Sequence, residues 1–326
     1  MRAVVCRALG PLTDLTIEER PSPPLGARQA RVAVAAAGVN YVDALIVQGL
    51  YQLKPPTPFV PGGELVGEVV EVGSEVTAVA VGDRVIAMTY SGAFASEAVV
   101  DASMLVPAPA ALSDGQAATF LQSYLTAYFA LARRGGLVAG QTLLVLGAGG
   151  GVGLAAVDVG RALGLDVIAV ASSPAKRDLA IRHGARAVID SSAGDAAAVK
   201  AAARELSGGG VDAVYDPVGG DLAVECLRAL RVDGQHLVIG FAAGAIPSLP
   251  ANQILLSNRR VVGVDLGGWL AGHPADERPM VTELLALVEA GQLDPVEPAA
   301  HPLEQAAAAL AAQQLRQVAG KSVLVP

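Results

Sequence analysis

Thr142-Leu143-Leu144-Val145-Leu146-Gly147-Ala148-Gly149-Gly150-Gly151-Val152-Gly153 is the stretch on which the reading of this chain turns. Five residues of buried-strand character, Thr142 to Leu146, run into a glycine-rich turn. Small and apolar residues of helical character follow, Leu154 to Leu163. Strand, glycine turn and helix in that order are the context in which a backbone can hold a pyrophosphate. Glycine allows the sharp turn and the close approach, while the helix aims N–H groups and its positive dipole end at the anion. Gly150, Gly151, Val152 and Gly153 are therefore candidate phosphate-binding positions. A lone glycine motif is weak, but this one opens a chain of βα units.

Working outward from the turn, strands are predicted at 142–146, 166–171, 186–190, 211–215, 235–240 and 260–265. Helices are predicted between them at 152–163, 175–183, 195–206 and 220–230. Six short apolar strands alternating with helices predict an α/β fold with a doubly wound parallel sheet. Upstream, residues 1 to about 112 read mostly as β. Apolar segments Ala3–Cys6, Ala30–Ala36, Leu65–Val72, Arg84–Met88 and Glu97–Val100 are separated by turn-formers such as Pro21-Ser22-Pro23-Pro24. That spacing predicts a barrel-like β domain with its prolines at edges and loops. After residue 264 a mixed pattern returns, with helices at Met280–Ala290 and Leu303–Gln314 and a closing strand at Ser322–Val325.

Composition narrows the function classes. Hydrophobic residues reach 52% of the 326, yet no apolar run attains the roughly 18 residues of a membrane span, so no membrane partner is expected. Met1 to Arg7 carries an early charge without a long apolar core, and reads as a first strand, not a signal peptide. Cys6 and Cys226 lack paired spacing, which argues against a disulfide framework and for a reducing, cytoplasmic compartment. A net charge of −8 with no basic run argues against nucleic acid.

At this level the sequence resembles the zinc-free quinone oxidoreductase branch of the medium-chain dehydrogenase/reductase family, which includes zeta-crystallin-like proteins. The resemblance is carried in order by Gly38-Val39-Asn40-Tyr41-Val42-Asp43, Pro61-Gly62-Gly63-Glu64, Gly82-Asp83-Arg84-Val85, Leu125-Thr126-Ala127-Tyr128 and the 148–153 turn. Asp216-Pro217-Val218-Gly219-Gly220, Val238-Ile239-Gly240-Phe241 and Gly320-Lys321-Ser322-Val323-Leu324 complete it. It implies a Rossmann domain, 118–264, inserted into a GroES-like β-barrel domain built from 1–117 and 265–326.

The resemblance also bears on chemistry. Where zinc-dependent relatives carry Cys, His and Cys, this chain has Asn40, Gly63 and Gln122, none of which supplies a thiolate or imidazole. His183, His236, His273 and His301 are scattered and read as ordinary structural or surface residues. No bound metal is expected. Hydride delivery to an electron-poor small molecule, a quinone or conjugated carbonyl, suits such a site. The leading expectation is an NADPH-dependent quinone reductase. Reduction of activated carbon–carbon double bonds in enones, alkenals or enoyl thioesters is the alternative, and a non-catalytic NADPH-binding protein is the alternative of another class.

The cofactor is argued from charge. An NAD enzyme places Asp or Glu about twenty residues past the glycine turn, to hold the ribose 2′-hydroxyl. Here that strand ends Val170-Ala171-Ser172-Ser173 and Lys176 follows, so hydroxyls and an ammonium are offered to a 2′-phosphate. The resemblance adds Arg316 as a phosphate contact, and departs at Ser191, where many relatives carry Tyr. It implies that Asn40 lies near the nicotinamide and the substrate carbonyl, where its amide could donate to a developing oxyanion. Tyr51 matches a tyrosine used as proton donor or orienter, against the alternative of an aromatic that only lines the cleft. Thr126, Gly240 and Phe241 are implied beside the nicotinamide, against a plain helix start for Thr126 and loop packing for Phe241, and Trp269 near the cleft mouth, where packing is the favoured reading. Asp43 reads as a helix cap, against the alternative of orienting Asn40, and Glu64 as a structural hydrogen-bonder. The last strand of the parallel sheet, Arg260 to Asp265, is an apolar edge that invites pairing, and a homodimer joined through it is expected.

Overall fold

A computed structural model describes all residues, Met1–Pro326. The chain divides into two compact units, one of Met1–Gln122 with Pro295–Pro326 and one of Ser123–Asp294.

The first unit is mostly β before residue 122. Its strands are β1 (Arg2–Val5), β2 (Thr16–Glu19), β3 (Gln29–Val39), β4 (Glu64–Val72), β5 (Arg84–Met88), β6 (Glu97–Asp101) and β7 (Leu105–Pro107), with helices α1 (Tyr41–Val47) and α2 (Asp114–Ala118). The second unit runs α3 (Thr126–Tyr128), β8 (Thr142–Val145), α4 (Gly151–Ala162), β9 (Asp166–Ala171), α5 (Pro174–Arg182), β10 (Ala187–Asp190), α6 (Ala196–Leu206) and β11 (Val211–Asp216). It continues α7 (Gly220–Leu227), β12 (Leu230–Val238), α8 (Ala251–Leu255), β13 (Arg260–Gly263), α9 (Leu266–Gly272) and α10 (Glu277–Glu289). The chain then returns to the first unit with β14 (Ala299–Pro302), α11 (Ala306–Gln314) and β15 (Ser322–Val325).

In the first unit a seven-stranded sheet runs β14-β15-β3-β4-β5-β7, with β6 also on β3. β3 alternates buried and half-exposed residues from Gln29 to Val34, the period of a strand with one face on a core. Its register against β4 shifts between Val34 and Ala36, a bulge that breaks the alternation. Val32, Leu65, Val85, Phe94 and Leu324 are among the core residues beneath the sheet.

The second unit holds the expected sheet. Its six strands are all parallel, in the order β10-β9-β8-β11-β12-β13. β11 is buried throughout, as a central strand covered by helices on both faces should be. The order reverses between β8 and β11, and ligands of open α/β sheets bind outside the carboxyl ends of strands at such a switch point.

Both boundaries differ from the sequence reading: the first unit runs to Gln122, not to 117, and 265–294, which that reading gave to the barrel domain with the rest of 265–326, lies in the second unit. Arg134 donates to the Gly263 carbonyl at 3.1 Å and Arg133 pairs with Glu283 at 2.8 Å. The Trp269 ring lies 5.7 Å from that of Phe129, and Met280, Leu284 and Val288 of α10 are buried. The fully buried Asp158 of α4 accepts from the Asp294 backbone at 2.8 Å and from the Tyr124 hydroxyl at 2.9 Å. The return to the first unit therefore comes at Pro295, thirty residues later than the mixed pattern suggests.

Candidate active site

Two clusters carry the sequence-predicted residues, one in each unit. In the second unit the chain leaves β8 through Leu146, whose N–H donates to the Tyr215 carbonyl at 3.0 Å, and enters α4 through Gly150. No side chain caps α4 at Gly150, whereas Ser173, Asp195 and Asp265 cap α5, α6 and α9. The helix over the glycine turn, like α7 at Gly219, thus has first-turn N–H groups that no capping side chain answers. A side chain at Gly153 would collide with the Gly147 carbonyl, and one at Gly149 would collide with the stem of Lys176. The turn closes onto its own helix and has a lysine laid across it.

Ser172 and Ser173 follow β9. Ser172 is exposed, while the Ser173 hydroxyl accepts from the Lys176 N–H at 3.4 Å as the N-cap of α5. Gly240 and Phe241 follow β12, and a side chain at Gly219 would stand 3.0 Å from the Phe241 ring. The turn from Asp216 to Gly220 is fixed from below. Asp216 accepts from the N–H groups of Val218 and Gly219 at 2.8 and 2.9 Å, and its other oxygen meets His236 Nε2 at 2.9 Å. His236 is buried in β12 and supports the strand ends of the switch point. Thr126 opens α3, a single turn set between π-helical stretches Leu121–Leu125 and Phe129–Arg134.

In the first unit Asn40 is the N-cap of α1 and only 7% exposed. Its backbone N–H donates to Asp43 Oδ2 at 2.8 Å, so Asp43 closes the first turn of the helix as expected. Asn40 Nδ2 donates to Glu64 Oε1 at 2.8 Å, and Lys321 Nζ donates to Asn40 Oδ1 at 2.5 Å and to Glu64 Oε1 at 3.2 Å. Glu64 Oε2 accepts from the Gln122 backbone at 3.1 Å. All four side chains, Asn40, Asp43, Glu64 and Lys321, are buried. Burial pushes the Asp43 carboxyl up to about 7, against the bonds from the Asn40 and Gly63 backbones, which lower it. Gly38 makes room for this group, since a side chain there would meet the Glu64 carboxyl and the Ala118 carbonyl.

Lys321 is the participant that residue-by-residue reading passes over. It stands in the matched Gly320–Leu324 segment, but only strand pairing reveals its neighbours. β15 runs antiparallel to β3 with Ser322 opposite Val39, which sets Lys321 beside Asn40. Tyr51 lies just beyond α1, in a bend that follows Gly49 at φ +70°, and is 37% exposed. Arg316 also belongs to the first unit, exposed after α11 with φ +56°.

Comparison with known proteins bears on this arrangement. Residues 26–110 match the alcohol dehydrogenase GroES-like domain, and residues 151–287 match the zinc-binding dehydrogenase family. A quinone oxidoreductase-like protein 2 homolog of Nematostella vectensis is 40% identical over 296 residues, covering 90% of this chain and 80% of that protein. The chain belongs to the quinone oxidoreductase branch of the medium-chain dehydrogenase/reductase family. Among solved structures, the Escherichia coli quinone oxidoreductase complexed with NADPH superposes with a TM-score of 0.89 at 29% identity, covering 100% of both chains. A mycobacterial protein complexed with NADPH gives 0.91 at 30% identity, again over 100% of both. The parallel sheet is thus a medium-chain reductase Rossmann sheet and the β unit is GroES-like.

Proposed function

We propose that this quinone oxidoreductase relative is an NADPH-dependent enzyme that reduces quinones without zinc. The observation that carries the reading is the glycine turn at 147–153, with α4 uncapped above it and the Lys176 stem laid across Gly149. A cradle of backbone N–H groups with a lysine stem across it suits a pyrophosphate and a 2′-phosphate. The NADPH bound by two of the solved relatives supports the same cofactor here. When bound, NADPH supplies a hydride to the acceptor. Gly150, Gly151, Val152 and Gly153 hold its pyrophosphate, and Ser172, Ser173 and Lys176 read its phosphate ester. Thr126, Gly240 and Phe241 flank the nicotinamide.

On the acceptor side, Asn40 has one Nδ2–H committed to Glu64, and the second is the donor for charge developing on the acceptor oxygen. Tyr51 is partly exposed and supplies or orients a proton through its hydroxyl. Zinc does not fit the donors at hand. Asn40 and Gln122 offer amides and Gly63 offers nothing, while the Lys321 ammonium already neutralises Glu64 at 3.2 Å. A divalent cation there would face a fixed positive charge. Steady-state oxidation of NADPH across benzoquinone, naphthoquinone, enone, alkenal and enoyl-thioester acceptors tests the reading. Quinones should turn over fastest, and a preference for enones or thioesters would shift the reaction to carbon–carbon double bonds.

The same proposal includes a cytoplasmic homodimer. No helix is long and apolar enough to cross a membrane, and two buried free cysteines suit a reducing compartment. β13 is the last strand of its sheet, with Val261 39% exposed. Leu255 and Leu256, just before it, are 75% and 80% exposed. Apolar side chains around an edge strand favour pairing with a second copy. Light scattering at micromolar concentration should give twice the chain mass, and Val262→Pro should lower it to one.

A further inference from the structure

We propose that Lys321 is a positioning residue for the reaction read above, one that orients and polarises the Asn40 carboxamide so that its remaining N–H is presented to the acceptor oxygen. The inference rests on that functional reading and adds a residue to it.

The geometry is closed on three sides. The ammonium donates to Asn40 Oδ1 at 2.5 Å, Asn40 Nδ2 donates to Glu64 Oε1 at 2.8 Å, and the ammonium also reaches that oxygen at 3.2 Å. An amide can ordinarily be turned end for end with little change in shape. Here turning it would aim the NH2 group at an ammonium and the carbonyl at a carboxylate, which exchanges two charge-assisted hydrogen bonds for two repulsions. The flanking charges therefore dictate which end of Asn40 is the donor.

Polarisation acts in the same direction. A cation on the amide oxygen draws electron density from the nitrogen, and chained hydrogen bonds strengthen one another where water is excluded. Lys321 is 6% exposed and Glu64 1%, so neither charge is screened by bulk water. The Lys321 ammonium thereby makes the Nδ2–H not used by Glu64 a stronger donor than it would be without that cation. Truncating one such donor in other enzymes costs about a hundred- to a thousandfold in kcat, and weakening it should cost less.

A merely structural pair holding β15 to β3 would have the same distances, so the test separates the two roles by a double-mutant cycle in the full-length protein. Lys321→Met should lower kcat with naphthoquinone by about ten- to a hundredfold, with the NADPH dissociation constant changed less than about twofold. In an Asn40→Ala background the same change should have little further effect, and Lys321→Arg should restore part of the rate. In the ligand-free protein, the side-chain amide 15N and 1H resonances of Asn40 should move in Lys321→Met. If Lys321→Met does not fold, the charge-neutral pair Lys321→Met with Glu64→Gln replaces it. An equal loss of kcat in both backgrounds, an unchanged kcat, or unmoved Asn40 resonances would overturn the assignment. Absence of any turnover in the unmodified protein would instead overturn the functional reading, and this inference with it.

Discussion

The glycine turn at 147–153 and the Asn40–Glu64–Lys321 cluster are built on opposite principles. The turn has no charged side chain of its own. It works through backbone N–H groups, and its residues follow one another along the chain. The cluster is made of side chains, two of them charged, drawn from positions 40, 64 and 321 and buried together. A backbone site tolerates only changes that keep side chains out. A buried charge cluster tolerates only changes that keep its balance, because removing one partner leaves the other uncompensated.

The greatest loss of cofactor binding is expected from a change in the turn. Gly153→Val places branched carbon where the Gly147 carbonyl stands. NADPH binding, followed by nicotinamide fluorescence, should weaken by more than about a hundredfold, equivalent to roughly 3 kcal/mol. Binding within tenfold of the unmodified protein would show that the turn can yield, and would blur the contrast with the cluster.

Lys176→Ala acts on the same turn. Its stem crosses Gly149, and a charge-assisted hydrogen bond is worth roughly 1.5–3 kcal/mol. The NADPH dissociation constant should rise by about ten- to a hundredfold while that of NADH stays nearly fixed. An equal rise for both cofactors would mean that Lys176 only packs against the turn. Arg316→Ala in the same titration tests the second phosphate contact that the family resemblance implies.

The cluster's effect is on stability, and it is a dependence on pH. Burial pushes Asp43 up to about 7, so the folded chain keeps a proton that the unfolded chain has released above about pH 4. The folded state is favoured most below that point, and stability should fall as pH rises from about 4 to about 7. Asp43→Asn, which keeps an acceptor for the Asn40 N–H, should flatten this slope in urea unfolding. A slope unchanged in the variant would show that Asp43 is not its source.

The same contrast explains what was legible in the sequence. The sheet and the turn follow from local pattern, since strand, turn and helix at 142–163 occupy a single run of residues. Strand β5 and the closing strand Ser322–Val325 fall at the predicted residues because their apolar runs are short and sharply bounded. Lys321 was visible as a letter in a matched segment, but its role depends on the β3–β15 register, which no local pattern encodes. The domain boundary failed for a related reason. A change of rhythm after residue 264 marks the end of the alternating strands, whereas the unit ends where packing ends. Arg133, Arg134 and Asp158 hold the chain to the second unit as far as Asp294. The π-helical turns around Thr126 were equally hidden, because nothing in Leu121–Arg134 distinguishes them from an ordinary helix.

Zinc-free hydride transfer from NADPH is tested by NADPH consumption by the purified protein with naphthoquinone in a strongly chelating buffer. Steady turnover that is indifferent to the chelator and much faster with NADPH than with NADH is the predicted result. Tight NADPH binding without turnover of any conjugated acceptor, or turnover that stops when metal is withdrawn, would contradict it.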